Sequence, residues 1–330
     1  MSKILYGLGS LNTLLQKEKT SKVCIVTSGI LVKKLEWAIR EIKFSGIKVI
    51  IIPDGEKAKE WNELQKLLKK FIECNLDRKS IIVALGGGTI GDVAGFASSI
   101  YLRGIRYVQV PTTLLAQVDS AHGGKTGINF LNYKNQIGSF NLPFAVVIEN
   151  RFIKSLAREQ IIDGLGEIIK YGFIKDSSIL ELLEKETLKT LIQSRNLQKI
   201  IEKSIKVKQY YVNTDLRDNS VRQLLNVGHT IGHAIELKYK ISHGRAVILG
   251  MLQEFAYTQS LTLTKPSVRE YLVNLLTHME IEIGKELRAD WKILLHDKKI
   301  TGNKIILPVI FEAGKAKLTT LNLEAFKKII

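Results

Sequence analysis

The feature that most constrains the fold is an alternation running through residues 1–150. Val23-Cys-Ile-Val-Thr27, Lys48-Val-Ile-Ile-Ile52, Ser80-Ile-Ile-Val-Ala-Leu85, Tyr107-Val-Gln-Val110 and Ala145-Val-Val-Ile148 are short apolar runs. Between them the periodicity predicts a helix over 31–44 and a second carrying Ala58, Trp61, Leu64, Leu68 and Phe71 on one face. A third helix is expected to open at Asp92, behind a glycine loop. Strands separated by helices imply a parallel, doubly wound sheet. After about Asn150 the texture changes to long helical patterns over 159–175, 179–211, 226–240, 245–260 and 266–279, with a β excursion at 304–310. The expectation is therefore α/β: a doubly wound, Rossmann-like domain over 1–150 and a mainly helical domain over 151–330.

A chain of 330 residues suits two such domains. No apolar run approaches the roughly 18 residues of a membrane span, and MSKILYGLGSLNTLL lacks the long apolar stretch of a signal peptide. Cys24 and Cys74 are too few for a disulfide framework and read as reduced packing residues, which favours the cytoplasm. The net charge of +17 is spread over helix surfaces such as KEWNELQKLLKK rather than gathered in a stripe with aromatics. That argues against nucleic acid and for a basic field that attracts a small, multiply anionic substrate.

ALGGGTIGDVAGF contains Gly86, Gly88 and Gly91 in the G-x-G-x-x-G pattern, after a strand and before a helix. Free N–H groups at such a helix start suit a pyrophosphate. About 20 residues on, where an acid normally holds the ribose, the chain has Arg103 and Arg106. Asp54 and Glu56 in PDGEKAK, beside Lys57 and Lys59, are the alternative carboxylates. NVGHTIGHAIE places His229 and His233 four apart, with His243 nearby in SHGRAV, and GLGEIIKYG offers Glu167 and Lys170 on one helical face. Two histidines and a carboxylate make a catalytic zinc arrangement. The segment from Val110 to Phe140 reads as a long glycine- and lysine-bearing loop, suited to an anion through Lys125 and Lys134-Asn135.

Taken in order, PDGEKAK, GGGTIGDVAGFASSIYLRG, VPTTLLAQVDSAHGGKTGIN, YKNQIG, GLGEIIKYG, LLNVGHTIGHAIE, HGRAV and DKKITGNKIILP resemble 3-dehydroquinate synthases, within the sugar phosphate cyclase superfamily, from about Pro53 to Pro308. The resemblance implies a homodimeric, NAD- and Zn2+- or Co2+-dependent phosphate lyase. Its substrate would be 3-deoxy-D-arabino-heptulosonate 7-phosphate, a step of the shikimate pathway. It implies transient oxidation by NAD, β-elimination of phosphate, return of the hydride, ring opening and aldol closure. On this resemblance the metal ligands are Glu167, His229 and His243, and His233 is a pocket residue. NAD contacts fall on Asp54, Gly55, Glu56, Lys57, Lys59, Gly86, Gly87, Gly88, Thr89, Gly91, Asp92, Thr112, Thr113, Lys125, Lys134, Phe152 and Ser155. Substrate positions fall on Asp119, Lys125, Lys134, Asn135, Lys170, Lys208, Arg222, Asn226 and the Lys298–Lys299 pair. Lys125, Asn135 and Arg103, the last reaching from the neighbouring subunit, would position phosphate; Lys208 and Arg222 would hold the carboxylate.

Three positions depart from the family pattern. Ser28-Gly29-Ile30 replaces a loop that commonly carries an acid, Gly166 stands where alanine is usual, and His122 replaces a small apolar residue. Rival readings are a cyclase for a substrate without the carboxylate, against which Arg222, Asn226, Lys134-Asn135 and Lys208 argue, a metal-dependent polyol dehydrogenase, and a non-catalytic basic binding protein.

Overall fold

The computed structural model describes residues 2–327 apart from 132, 283–286, 295–299 and 302. The chain forms two compact units, Met1–Ser155 and Leu156–Ile330.

The first unit contains β1 (Lys3–Tyr6), β2 (Val23–Ser28), β3 (Lys48–Ile52), β4 (Ile81–Gly86), β5 (Arg106–Pro111), β6 (Lys125–Phe130), β7 (Tyr133–Phe140) and β8 (Ala145–Ile148). Six of them make a parallel sheet in the order β1-β8-β5-β4-β2-β3. Neighbouring residues on one strand serve opposite faces. Val26 and Ile82 join a core with Leu64, Phe71 and Val93, while Ile25 and Val83 join another with Leu11, Leu15 and Val147. β2, β4 and β8 are accordingly buried throughout and mostly apolar, each large aliphatic side chain contributing roughly 1.5–3 kcal/mol. After β2 the chain builds outward to β3, then returns to place β4 on the other side of β2. The sheet order therefore reverses between the carboxyl ends of β2 and β4, the position where open α/β sheets bind ligands.

Several elements differ from the expectations. The edge strand β1, with only the short run Ile4-Leu5-Tyr6, was not expected and is held by its parallel register with β8. The single helix expected over 31–44 is two short ones, Gly29–Lys34 and Glu36–Glu41. The glycine helix spans Gly88–Ile100, opening earlier than Asp92, because Ile90 and Val93 already anchor its first turn in the core. The expected long loop is folded. Leu114–Val118 is a short helix capped by the Thr113 hydroxyl, which accepts from Ala116 N at 3.2 Å, and β6 pairs antiparallel with β7. Gly127 faces Gly138 in that hairpin, and a Cβ on Gly138 would lie 2.2 Å from the Thr126 carbonyl oxygen.

The second unit contains the helices Arg158–Ile174, Asn196–Thr214, His229–Tyr239, His243–Ser260 and Pro266–His278, and a sheet of β9 (Ile300–Thr301), β10 (Lys304–Glu312) and β11 (Lys315–Asn322). The long helix expected over 179–211 is broken into Ser178–Leu183, Leu188–Leu191 and Asn196–Thr214. Buried Glu186 draws the breaks together, accepting from Thr190 Oγ1 and Asn196 Nδ2, each at 2.8 Å, while Thr187 caps the middle piece. Among the described residues no helix is long and apolar enough to cross a membrane. Both cysteines are free, and burial pushes the Cys24 thiol up to about 12.

Candidate active site

In the first unit the loop Gly86-Gly87-Gly88 leaves the carboxyl end of β4 beside that of β2. The helix it opens has Gly87 as N-cap and no side-chain cap, so its first N–H groups are left for an anion. The glycines divide by role. A Cβ on Gly86 would meet Ile90 Cδ1 at 2.3 Å, and one on Gly91 would meet Gln109 Oε1 at 2.4 Å, so these two permit close packing of helix on strand. Gly87 and Gly88 line the mouth of the loop beside Thr113 and Ser120. Thr112 ties the loop down, its N–H donating to the Gly86 carbonyl at 3.0 Å. Where Ser28-Gly29 ends β2 without an acid, Asp54 supplies one: its Oδ2 lies 3.9 Å from where a Cβ on Gly29 would sit.

Next to the loop, one network joins four of the expected residues. Lys59, only 5% exposed, donates to Asp92 Oδ2 at 2.7 Å and Asn135 Oδ1 at 2.8 Å. Asn129 Nδ2 donates to Glu56 Oε2 at 2.9 Å, and Asn129 Oδ1 accepts from Asn135 N at 2.9 Å, holding Asn135 at φ +52°. Burial pushes the Asp92 carboxyl up and the Lys59 charge opposes it. Sequence reasoning gave Asn129 no role, although it is the last residue of the segment VPTTLLAQVDSAHGGKTGIN. Glu56, Lys57, Trp61, Asn129 and Lys134 are among the residues lining an open cavity of about 600 Å³. Phe152, an expected cofactor contact, has its ring in the core against Trp37, with centroids 5.3 Å apart, so only its backbone can face a ligand; Ser155 is exposed. Asp119 caps the short helix at Val118, and Lys125 is exposed at the start of β6. His122 Nε2 lies 2.7 Å from the buried Gln117 carbonyl, so this departure is part of the packing.

In the second unit Glu167, His229 and His243 converge, their ligand atoms within 4.8 Å of one another. His229 Nε2 is 3.3 Å and His243 Nε2 3.5 Å from Glu167 Oε1. The outer ring nitrogens are held by other acceptors: His229 Nδ1 lies 3.1 Å from the Val227 carbonyl, and His243 Nδ1 lies 3.1 Å from Glu236 Oε2. This arrangement turns both Nε2 atoms inward and is the usual support for metal-ligating histidine. Glu167 is 1% exposed and forms an ion pair with Lys170, yet neither carboxylate oxygen has a hydrogen-bond partner of proper geometry. Burial opposes the Glu167 charge, but Lys170 and His229 hold the carboxyl well below its usual range. Burial, with the Lys170 charge, drives His229 down to about 3; His243 is raised to about 10 because Glu167 and Glu236 outweigh its own burial. A buried carboxylate without directed partners, faced by two inward imidazole nitrogens, fits a divalent cation.

Glycines bring these ligands together. A Cβ on Gly166 would lie 2.6 Å from Gly244 Cα, and one on Gly244 would lie 2.3 Å from Asp163 Cα. The helices carrying Glu167 and His243 therefore touch backbone to backbone, which is the physical account of Gly166 where alanine was usual. Gly244 N also donates to Asp163 Oδ1 at 2.9 Å. The helix carrying His229 is seated by buried Glu254, which accepts from Gly228 N at 2.7 Å. A Cβ on Gly250 would meet the Gly228 carbonyl oxygen at 1.9 Å. Gly250→Ala is expected to cost about 1–3 kcal/mol through overpacking and to weaken metal binding by parting His229 from His243. Urea denaturation together with metal dialysis checks this, and unchanged values for both would refute it.

His233 is exposed, its ring centroid 5.2 Å from that of His229 and 6.0 Å from that of His243. Lys170, Lys208 and Arg222 are all buried, on the Arg158–Ile174 helix, the Asn196–Thr214 helix and the Val221–Asn226 turn, which pack on one another. Arg222 Nη1 donates to the Leu216 carbonyl at 2.7 Å, and Asn226 ends the same turn. Buried cations are rare unless something anionic meets them. Arg103 is exposed at φ +64°, on the Tyr101–Arg103 turn. Lys298 and Lys299 lie outside the described residues.

Family models for the 3-dehydroquinate synthase N-terminal and C-terminal domains match residues 49–163 and 164–300. A curated 3-dehydroquinate synthase from Clostridium kluyveri is 42% identical over 283 residues, covering 84% of this chain and 79% of the relative. A solved 2-deoxy-scyllo-inosose synthase, complexed with carbaglucose-6-phosphate, NAD+ and Co2+, superposes with a TM-score of 0.87 at 24% identity, covering 99% of this chain and 95% of that one. The 2-epi-5-epi-valiolone synthase of Streptomyces hygroscopicus, with NAD+ and Zn2+ bound, also gives 0.87, at 20% identity over 100% of this chain and 95% of its own. These two structures share the fold, and the family models and the curated relative are those of 3-dehydroquinate synthases. With both domain models matched in order across the glycine loop and the Glu167–His229–His243 cluster, the chain belongs to the 3-dehydroquinate synthase family.

Proposed function

We propose that this chain converts 3-deoxy-D-arabino-heptulosonate 7-phosphate to 3-dehydroquinate and phosphate, with NAD and one divalent ion, Zn2+ or Co2+, per subunit. The observation that carries the reading is the convergence of Glu167, His229 and His243. When bound, NAD supplies a transient hydride acceptor and the ion acidifies a substrate hydroxyl. Glu167 and the two Nε2 atoms hold the ion, with Val227 and Glu236 fixing the rings. The uncapped N–H groups from Gly88 onward take the dinucleotide's diphosphate, and Asp54 and Glu56 take ribose hydroxyls. The Lys59–Asp92–Asn135 network keeps that loop and the β6–β7 hairpin in one arrangement.

Lys125, Lys134 and Asn135 bind and orient the phosphate, Lys208 and Arg222 bind the carboxylate, and Asp119, Lys170, Asn226 and His233 are further substrate contacts. We infer a cytoplasmic homodimer in which Arg103 serves the neighbouring site. The exposed turn bearing Arg103 supports this: Leu102 and Arg103 both take positive φ, at 51° and 64°, a strained pair that turns outward rather than into the core.

Incubating purified protein with the heptulosonate phosphate, NAD and Zn2+ is expected to release phosphate with no net NADH, and a chelator is expected to stop it. Stoichiometric NADH would instead indicate a dehydrogenase. No phosphate release under metal-replete conditions would overturn the proposal.

A further inference from the structure

We propose a second, weaker divalent-cation site formed by His233, Glu236 and His243, sharing the His243 ring with the buried site. The inference rests on the reading that Glu167, His229 and His243 hold the first ion. Ligand atoms of His233, Glu236 and His243 also lie within 4.8 Å of one another. His233 and Glu236 are three apart on the His229–Tyr239 helix and so share a face, and His243 opens the next helix. The two nitrogens of His243 face different carboxylates: Nε2 is 3.5 Å from Glu167 Oε1 and Nδ1 is 3.1 Å from Glu236 Oε2. Two imidazoles and a carboxylate suit Zn2+ or Co2+.

Exposure separates the two sets. The side chains of Glu236 and His243 are 26% and 29% exposed and His233 is exposed, against 1% for Glu167. An ion from solvent reaches the outer set without crossing buried structure. An ion held there draws Glu236 Oε2 onto the metal and away from His243 Nδ1, 3.1 Å from it. The contact that orients His243 toward Glu167 is then weakened, so the two sites are coupled through one ring.

The test is equilibrium dialysis of the purified full chain against Co2+ alone, with direct metal analysis. The wild type is expected to hold one tight ion and, at higher cobalt, one more. His233→Asn and Glu236→Gln are each expected to lose the second ion and keep the first, since glutamine still accepts from His243 Nδ1 but ligates metal poorly. Glu167→Gln reports separately on the inner site, through loss of the tight ion. A single class of site in the wild type, or a second ion retained in either outer variant, overturns the proposal.

Discussion

Glu167→Gln is expected to lower kcat/KM by at least about a thousandfold, because a bound ion's stabilisation of several kcal/mol corresponds to one tenfold step per roughly 1.4 kcal/mol. The substitution is nearly isosteric, so packing around a side chain that is 1% exposed is retained. What changes is charge. The two inward Nε2 atoms lose the anionic ligand between them, and Lys170, equally buried, loses its counter-ion. Leaving such a partner uncompensated costs about 3–5 kcal/mol. The variant should therefore purify without stoichiometric metal and unfold at lower urea than the metal-stripped wild type. The comparison with metal-stripped protein isolates the Lys170 effect from the loss of the ion itself. Full metal content in the variant would remove Glu167 from the ligand set.

Lys59→Met is the second large effect, and it acts in the first unit. Lys59 bonds both Asp92, on the glycine helix, and Asn135, on the hairpin. Its loss strands a carboxylate that burial already pushes upward, at a cost of about 3–5 kcal/mol. Two charge-assisted hydrogen bonds disappear, each worth about 1.5–3 kcal/mol, so NAD affinity is expected to fall on the order of a hundredfold. The pH dependence carries a definite sign. With Lys59 gone, the folded-state pKa of Asp92 rises further above its unfolded value of about 3.9, so the folded state holds the proton more tightly. The Asp92 contribution to the variant's stability is then fully present below pH ~4 and is lost as pH climbs through the raised folded value, so the deficit relative to wild type widens over that window. Urea titrations across that range, for wild type and variant, test the difference. A deficit that stays constant or narrows as pH rises would contradict the assignment.

Much of this molecule was readable from residue order because the relevant physics is local. The strands β2, β4, β5 and β8 were legible because burial on both faces favours short, mostly apolar runs. The glycine loop was legible because a helix that opens without a side-chain cap must follow residues able to bring the backbone close. Glu167, His229 and His243 were candidates because few side chains can ligate zinc, and the chain has only six histidines.

The remainder depends on residues distant in the chain. The run Lys3–Tyr6 is too short to announce a strand by itself; pairing with β8 makes it one. Gly166 read alone is a bare departure from the family pattern, and its reason lies in the Gly244 backbone packed against it. Asn129 and Glu236 close two of the quoted motifs without any role legible there, and Glu254 lies in none, yet they hold Asn135, His243 and the start of the His229 helix respectively.

Residue order alone carries the alternation that makes a parallel sheet, the switch to helices near residue 150, and the inventory of glycines, histidines and cations. Only the tertiary structure decided which of three histidines turns which nitrogen toward Glu167, and which partners stand behind them. The physical reason is direction: a sequence specifies what a side chain can donate or accept, but where it points depends on the backbones packed against it.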